Sequence, residues 1–310
     1  MSPVSNVHSL ESTWPDSTRR TEPGPAHASR PLVTRVFGKS DIGRERAENQ
    51  DRFLIASPVS TLWRRRSKPG EAPPFADIDG ELFVVADGMG GHAGGAEASA
   101  LAVEAVESSL LQTLKSLFSL SGEAPDSAEM LDQMTHALRA ADARVTAEAA
   151  RSPDKRDMGT TLTMAYRCGA WLFVVHAGDS RCYLLRGDTL YRITRDHTLV
   201  SEMVRRGVLD AEEAERHELR HVVTNAVGGS VPGVRSEGHR LRLMPHDVIL
   251  LCTDGLTEMA TDHEIRHILQ SEPDPRRTCD ELLAIANDRG GVDNITVIVA
   301  RFEPAGAPEN

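Results

Sequence analysis

The sequence is poor in cysteine, in basic residues and in long apolar runs, and each shortage excludes a class of protein. There are 4 cysteines among 310 residues. They form no CxxC pair, so neither a disulfide framework nor a cysteine-rich zinc site is expected. Because they lie in or beside apolar segments, we expect buried free thiols in a reducing, cytoplasmic compartment. They are Cys168, Cys182, Cys252 and Cys279.

Charge and hydropathy exclude further classes of protein. The chain has 46 acidic and 35 basic residues and a net charge of −11. This balance argues against a nucleic-acid partner held mainly by charge. The acidity could serve to collect divalent cations, or could merely keep the protein in solution. No stretch approaches the roughly 18 apolar residues of a membrane span, and the N-terminus lacks the apolar segment of a signal peptide. We therefore expect no membrane partner.

The chain is predicted to hold one folded domain, at 32–303, between two short tails. Residues 1–31 contain five prolines and six serines with little apolar periodicity, which predicts a disordered N-terminal tail. Residues 304–310 form a short C-terminal tail. The segment 57–80 holds four prolines and the run RRRSK, and it joins two predicted strands, so we expect an extended hairpin loop. Its basic run could bind a partner or simply be solvated.

Short β segments dominate the domain, and two long helices interrupt them. Gly187 and Asp188 separate two apolar runs as a two-residue hairpin turn would. The close succession of strands predicts antiparallel sheets, and the amphipathic helices at 96–120 and 127–150 should cover a sheet face. With a last helix at 278–288, this order predicts an α+β sandwich. The predicted strands are 33–38, 52–56, 82–86, 161–167, 171–177, 181–187, 189–194, 240–243, 247–252 and 294–301.

The stretch DGMGGH at 87–92 lies between a predicted buried strand and the first long helix. A phosphate-cradling loop is one interpretation, but the spacing matches neither GxGxxG with its acidic partner nor GxxxxGK[ST]. A tight turn that needs glycine is the other. Neither explains the aspartate, so Asp87 has to be interpreted together with similar residues.

Four aspartates, Asp87 among them, share one setting, because each lies at one end of an apolar strand. Carboxylates there are costly unless they are paired, hydrogen-bonded or bound to cations. Oxygen ligands without histidine or cysteine nearby favour magnesium or manganese over zinc or copper. Four such residues therefore indicate a hard-cation site. They are Asp51, Asp87, Asp254 and Asp293.

The segment 263–267 reads HEIRH and matches the HExxH pattern of zinc proteases. Ile265, Ile268 and Leu269 define the buried side of the predicted helix, and at 100° per residue His263 and His267 point away from that side. We therefore expect an ordinary surface helix here and no zinc protease.

A series of motifs, in this order and spacing, resembles the metal-dependent type-2C (PPM-type) Ser/Thr protein phosphatases of the bacterial branch. The resemblance covers about residues 33–302. The motifs are RAENQD at 46–51, DGMGGH at 87–92, GTTLT at 159–163, HAGDSRCYLL at 176–185, ITRDHTLV at 193–200, VTNAVGG at 223–229, LCTDGL at 251–256 and GVDNITVIV at 291–299.

The resemblance implies a four-layer α/β/β/α fold with a binuclear Mn²⁺ or Mg²⁺ centre at one end of the sandwich. It implies that Asp51 and Asp87 serve the two-metal centre, with Asp87 bridging both ions and the Gly88 carbonyl as a further ligand. Asp254 and Asp293 would complete the shell of the first ion. The same resemblance implies that Arg46 binds the phosphoryl group of the substrate.

The implied reaction is hydrolysis of phosphoserine and phosphothreonine by a hydroxide that bridges the two ions, with no covalent enzyme intermediate. The substrates would be phosphorylated proteins, the products of a bacterial Ser/Thr kinase, and the enzyme would be a monomer. Residues 196–229 correspond to the flap of such enzymes. Asp179 resembles a ligand of a third ion, although an Asp-Ser turn is the alternative. A non-catalytic phosphoprotein-binding regulator of the same fold is the alternative function.

Two positions depart from the family pattern. Met89 stands where eukaryotic relatives carry a histidine that is a candidate general acid, so that acid is missing here. His92 or a metal-bound water could replace it, and His92 could equally be structural. Gln50 stands where other relatives have glutamate, and it can still orient a metal-bound water without adding charge.

Overall fold

The computed structural model describes residues 31–57, 80–90, 94–120, 127–230 and 233–306, with the side chains of 113–120 and 127 excepted. The predicted N-terminal tail up to Arg30, nearly all of the 57–80 loop, His92 and residues 307–310 lie outside the described residues. Within the described part, no helix is long and apolar enough to cross a bilayer.

The strands of the described chain form two five-stranded sheets and a small three-stranded one, and every pairing is antiparallel. Sheet I has the order β1 (Leu32–Asp41), β13 (Ile295–Pro304), β12 (Val248–Cys252), β8 (Arg181–Arg186), β9 (Thr189–Arg192). Sheet II has the order β11 (Glu237–Arg242), β7 (Trp171–Ala177), β6 (Leu162–Cys168), β3 (Gly80–Ala86), β2 (Arg52–Ala56). The small sheet has the order β10 (Val227–Gly228), β5 (Gly159–Thr160), β4 (Gly88–Met89).

The helices lie in three places along the chain. Two long ones follow β4, two short ones lie in the 196–229 segment, and three surround the last sheet strands. They are α1 (Gly94–Leu120), α2 (Ser127–Ala149), α3 (Leu199–Arg205), α4 (Ala211–Arg216), α5 (Asp254–Thr257), α6 (Asp262–Ser271) and α7 (Pro275–Asp288).

Three apolar clusters hold these elements as four layers. One joins α1 and α2 to the outer face of sheet II, with Val106 and Met134 packed near Val84. A second joins α6 and α7 to the outer face of sheet I, where Leu282 belongs to the same cluster as Leu250. The third fills the space between the sheets. Each Å² of apolar surface that these layers remove from water stabilises the fold by about 25 cal/mol. The predicted α+β sandwich with helices on both faces is confirmed.

Strands β2 and β7 have the limits that the sequence predicts, whereas two helices begin earlier than predicted. Helix α7 begins at Pro275, three residues before the predicted start, because Asp274 caps its first turn and accepts hydrogen bonds from the amides of Arg276 and Arg277. Helix α1 begins at Gly94, two residues before the predicted start at 96. The small third sheet was not predicted, since its strands are two residues long.

Strand register places the ends of β2, β3, β12 and β13 at one end of the sandwich. Arg52 pairs with Ala86, which sets Asp51 and Asp87 at adjacent strand ends in sheet II. Cys252 pairs with Val297 in sheet I, and the amide of Thr253 donates to the Thr296 carbonyl at 3.0 Å. The aspartate-bearing loops of both sheets therefore converge at this end.

Candidate metal centre

Asp51 is the most deeply buried of the four aspartates, with 2% of its surface exposed. Its Oδ2 accepts hydrogen bonds from the hydroxyls of Thr253, at 2.9 Å, and Thr296, at 2.6 Å. Its Oδ1 is buried and has no hydrogen-bond partner among the described residues. Burial raises the pKa of Asp51 to about 7, although the two threonine hydrogen bonds oppose that rise. One carboxylate oxygen is thus fixed while the other remains available.

Asp87 lies between β3 and β4, and its backbone is held on both sides. Its carbonyl accepts from the Thr160 hydroxyl, at 2.7 Å, and from the Thr161 amide, at 2.8 Å. Its amide donates to the Thr161 hydroxyl at 3.0 Å. Burial raises the pKa of Asp87 well above its usual range, and the negative charges of Asp254 and Asp51 raise it further. The side chain therefore lies where several carboxylates repel one another.

Asp254 is the first residue of α5, directly after Thr253. Its Oδ1 is buried without a hydrogen-bond partner in the described part of the chain. Burial raises the pKa of Asp254, and the charge of Asp293 adds to the rise, while a hydrogen bond with Asp87 lowers it. Asp254 and Asp87 thus come from different sheets and meet at the end of the sandwich.

Arg46 lies across from Asp293, and its Nη2 is 2.5 Å from Asp293 Oδ2. The Arg46 side chain is 55% exposed, so it lies at the solvent-facing rim of the aspartate group. Asn294 fixes the loop that carries Arg46: its Nδ2 donates to the carbonyls of Ile42 and Glu48, and its Oδ1 accepts from the Gln50 amide. Asn294 therefore contacts both partners, because its side chain holds the loop of Arg46 and its backbone amide donates to Asp293 Oδ1 at 2.7 Å.

Two glycines that follow aspartates are required by close backbone packing. A Cβ atom on Gly88 would lie 2.1 Å from the Gly95 carbonyl oxygen, and one on Gly255 would lie 2.1 Å from the Asn294 carbonyl oxygen. Real Cβ atoms do not approach backbone oxygens so closely. The glycine of each Asp-Gly pair lets a neighbouring loop or helix pack directly behind the aspartate.

The donor set fits divalent cations. Asp51 and Asp254 each carry a buried oxygen without a hydrogen-bond partner among the residues that the structure describes, and burial together with repulsion among the carboxylates raises the pKa of Asp87. Two cations would satisfy those oxygens and remove that repulsion, and all-oxygen ligands suit Mg²⁺ and Mn²⁺. Lysine or arginine could also neutralise such a site, but Arg46 is paired with Asp293 at its rim.

The fold and this aspartate group can now be compared with known proteins. The profile of the family described as Protein phosphatase 2C matches residues 75–296, most of the chain. The chain belongs to the protein phosphatase 2C family. It is 34% identical over 269 residues to the serine/threonine protein phosphatase PstP of Mycobacterium tuberculosis, covering 87% of this chain but 45% of PstP. The chain thus spans about half the length of that curated relative.

Other relatives are covered more completely. The serine/threonine phosphatase stp of Listeria welshimeri is 33% identical over 219 residues, which are 70% of this chain and 83% of that protein. The catalytic domain of PstP in complex with two manganese ions is 32% identical, with a TM-score of 0.67 over 88% of this chain and 99% of that one. The resemblance seen in the motifs is confirmed.

Asp179, the residue that family resemblance assigns to a third ion, lies after β7 and is 8% exposed. Burial raises its pKa well above the usual range, and the charge of Asp254 contributes to the rise. The structure therefore brings Asp179 within the electrostatic influence of the aspartate group. Its role as a ligand stays a prediction.

The HExxH segment lies in α6, where Ile265, Ile268 and Leu269 are buried and both histidines are exposed. Glu264 belongs to a capping box with Thr261 and also pairs with Arg289. This glutamate has a structural role at the helix start, and the prediction of a surface helix is confirmed.

Sequence reasoning missed Thr253, Thr296 and Asn294, which orient the aspartates. Each stands beside a predicted site residue or within the last strand, and hydroxyl or amide side chains next to strand-end aspartates are the only local signal that could have indicated them. Their roles depend on contacts between residues more than 200 positions apart.

Proposed function

We propose that this chain is a manganese- or magnesium-dependent phosphatase that hydrolyses phosphoserine and phosphothreonine in proteins. Membership of the family supports the proposal, and so do the names of the relatives. The observation that carries it is the convergence of Asp51, Asp87 and Asp254 beside the exposed side chain of Arg46, with two buried carboxylate oxygens that have no hydrogen-bond partner in the described part of the chain.

In this proposal, Asp51, Asp87, the Gly88 carbonyl, Asp254 and Asp293 hold the two ions. Bound there, the ions would neutralise the phosphate dianion and lower the pKa of an attacking water. The residues of the chain supply the geometry. Thr253 and Thr296 fix one oxygen of Asp51, so that its other oxygen faces the centre, and the packing behind Gly88 and Gly255 fixes the aspartates beside them.

Arg46 is proposed to bind the substrate phosphoryl group. A planar guanidinium can donate two parallel N–H bonds to phosphate oxygens. In the structure one arm contacts Asp293 and the side chain is 55% exposed, so a phosphate could approach its free edge. The contact with Asp293 keeps the guanidinium at the rim of the centre, where a phosphoryl group would lie.

The leaving alkoxide requires a proton, and the family histidine is absent. Met89 lies in β4, where it pairs with Gly159, and its side chain is half-buried. A thioether cannot donate a proton. We propose that a water supplies it; His92, the other candidate, lies outside the described residues.

We also propose a cytoplasmic monomer that opposes a Ser/Thr kinase in signalling and uses neither nucleic acid nor membrane as partner. The four cysteines are free thiols, three of them buried, which supports a reducing compartment. The net charge of −11 supports the absence of a nucleic-acid partner. Light scattering after gel filtration tests the monomer, and a pull-down with phosphorylated lysate proteins tests the substrates.

The experiment that tests the activity combines a thermal melt with hydrolysis of a phosphothreonine peptide, each in chelator, Mg²⁺ or Mn²⁺. An ion at about 100 times its Kd should stabilise the fold by ~2.7 kcal/mol and should switch on hydrolysis. Asp254→Asn should weaken both effects without unfolding the protein. Ion-dependent melting without hydrolysis would favour the non-catalytic phosphoprotein-binding regulator, and hydrolysis that resists chelator would refute the metal mechanism.

A further inference from the structure

Strand β11 forms one edge of sheet II, and in the described chain its only neighbour in the sheet is β7. The Leu243 amide donates to the Ala170 carbonyl at 2.8 Å, and β11 continues in register with β7 from that pair. Because hydrogen-bonded pairs alternate in an antiparallel ladder, the backbone groups of Gly238, Arg240 and Arg242 point away from β7. An exposed edge of this kind can pair with an extended segment of another chain.

The side chains along this edge are basic, in a chain whose net charge is −11. Arg240 and Arg242 are exposed, and within the described chain neither forms an ion pair. Arg240 lies over the ring of Trp171, 4.9 Å from its centroid. Arg186 Nη2 donates to the Arg242 carbonyl at 2.8 Å, so a third guanidinium lies beside the strand. The β11 edge, which we define as Gly238–Arg242, therefore complements a negatively charged partner.

The two exposed arginines lie on the same face of the sheet, because they are two residues apart in the strand. Arg240 pairs with Phe173 and Arg242 pairs with Trp171, both on the face that α1 and α2 cover. On a strand added to the edge, side chains at every second position would lie opposite the two arginines. Opposite charges in such cross-strand positions stabilise the pairing.

The β11 edge begins near the end of the sandwich that carries the aspartates. Glu237, the first residue of β11, contacts His197 at the start of the flap. It pairs with His176, three residues before Asp179. Strands β7 and β6 separate β11 from β3, the strand that leads to Asp87, so at about 4.8 Å per strand the edge lies roughly 14 Å to one side. About five extended residues span that distance.

We propose that the β11 edge binds an extended, acidic segment of the phosphoprotein substrate as an added strand of sheet II. The identity of this partner rests on the proposed function. Backbone hydrogen bonds to Gly238, Arg240 and Arg242 supply affinity, and acidic side chains at alternate positions select the segment. In an antiparallel pairing the added strand runs towards the aspartates, so its acidic residues precede the phosphorylated residue by about five positions.

Fluorescence anisotropy of a labelled, unphosphorylated peptide with glutamate at every second position tests the edge on the full chain in chelator. The double variant Arg240→Glu with Arg242→Glu should bind that peptide at least about tenfold more weakly, because like charges then face each other. Arg276→Glu with Arg277→Glu, in α7 on the opposite face of the molecule, is the control and should bind normally. It changes the net charge equally, and Arg276 also stacks on a ring, that of Phe37.

Gly238 tests the strand pairing separately from the charge. Gly238→Pro removes an outward amide, and proline is tolerated on an edge strand where the amide faces solvent. Gly238→Ala keeps the amide, and its Cβ would lie 3.7 Å from Leu131 Cδ2, an ordinary contact. We expect the proline variant to bind the peptide about fivefold more weakly than the alanine variant, since one hydrogen bond is lost. Melting curves in chelator show whether each variant is folded.

A peptide with N-methylated amides repeats this test on the wild-type chain and should bind more weakly than the unmethylated one. Equal binding of the two peptides, or equal binding by the proline and alanine variants, would overturn the added strand. Equal binding of a single-stranded oligonucleotide would overturn the selection of an acidic peptide.

Kinetics with two phosphothreonine peptides connect the edge to the substrate. An acidic segment about five residues before the phosphothreonine should lower KM about tenfold without a change in kcat, and Arg240→Glu with Arg242→Glu should remove that gain. Hydrolysis of both peptides with equal KM would reject this inference and leave the proposed function standing. Binding of the acidic peptide at the edge without hydrolysis under any ion would do the reverse.

Discussion

At the scale of single residues, the aspartate group depends on a balance between charge and fixed hydrogen bonds. Asp51 has one oxygen saturated by two threonine hydroxyls and another left without a partner among the described residues. A buried carboxylate in that state destabilises the metal-free protein when it is ionised. The same arrangement makes it a ready ligand, because no internal hydrogen bond to its Oδ1 has to be broken when an ion binds.

Arg46 gives the first prediction at this scale. Arg46→Ala should lower kcat/KM for a phosphothreonine peptide by ~2 to 4 kcal/mol, since a charged hydrogen-bond pair is lost and phosphate charge is left uncompensated. Arg46→Lys keeps the charge but not the two-pronged geometry and should recover only part of the loss. Steady-state kinetics at saturating Mn²⁺ measure this. Unchanged kinetics in Arg46→Ala would remove Arg46 from phosphate binding.

Asp51 gives a prediction about pH. Because burial raises its folded-state pKa to about 7, above the unfolded value of about 3.9, its contribution to stability is present below about pH 4 and is lost as pH rises through 7. In chelator, the free energy of unfolding should therefore fall between about pH 5 and 7.5. Each pH unit should cost up to about 1.4 kcal/mol.

Asp51→Asn is the matched control for that fall, because it keeps the side-chain size and cannot ionise. Its free energy of unfolding in chelator should fall less steeply over the same range, although Asp87 and Asp254 still contribute. Saturating Mn²⁺ should abolish the fall in the wild type, since ions compete with protons for the carboxylates. Equal slopes for both proteins in urea melts would contradict the assignment.

At the scale of elements, a buried polar network anchors the flap to sheet II. Glu237, in β11, accepts at Oε2 from His197 at 3.2 Å and at Oε1 from His239 at 2.6 Å. His197 also stacks on His176 of β7, with ring centroids 4.8 Å apart, and accepts from the Asn225 amide group. Burial alone would raise the pKa of Glu237, but the hydrogen bonds from both histidines lower it below its usual range. The start of the flap, at His197, thus contacts Glu237 directly, and its end, at Asn225, contacts His197.

Glu237→Gln should destabilise the protein by about 1–3 kcal/mol, because one of the two buried histidine contacts loses its acceptor. Cleavage by trypsin within the flap, at Arg205 or Arg206, should become faster than in the wild type. Glu212→Gln is the control, since Glu212 forms an exposed pair with Arg216 in α4 and should change neither quantity. Urea melts and timed digestion measure both. Equal behaviour of the two variants would show that the network does not anchor the flap.

At the scale of the whole molecule, the first strand of the described chain pairs with the last one. The Ala305 amide donates to the Pro31 carbonyl at 2.8 Å, and β1 pairs with β13 along its full length, Leu32–Asp41. Pro31 thus contacts the residue that follows the last strand, so a deletion that tests the predicted tail should end at residue 30.

Deletion of residues 1–30 should leave the melting temperature and the hydrolysis of a small aryl phosphate nearly unchanged. The composition of that segment, rich in proline and serine, cannot bury a core. Differential scanning calorimetry and an initial-rate assay measure the two quantities. A deletion that also removes Leu32–Val36 is the contrasting variant and should unfold sheet I. A large loss of folded protein with the shorter deletion would show that the tail has a structural role.

The sequence by itself determined the strands of the two large sheets, the long helices and the aspartate residues. Alternating and helical apolar periods are local, so β2 and β7 could be placed from their own residues. The four aspartates, Asp51, Asp87, Asp254 and Asp293, could be selected because each lies at one end of an apolar strand. The orientation of α6, with His263 and His267 in solvent, also followed from its periodicity alone.

Only the tertiary structure decided what surrounds those aspartates. Thr253 and Thr296 reach Asp51 from more than 200 residues away, the backbone behind Gly88 belongs to α1, and His221 of the flap meets Glu258 of α5. Such contacts are set by strand register and by the packing of separate layers, and no local pattern encodes a distance between two segments. For this reason the sequence indicated the carboxylates that we propose to bind a cation, while the side chains that orient them became visible only in the folded chain.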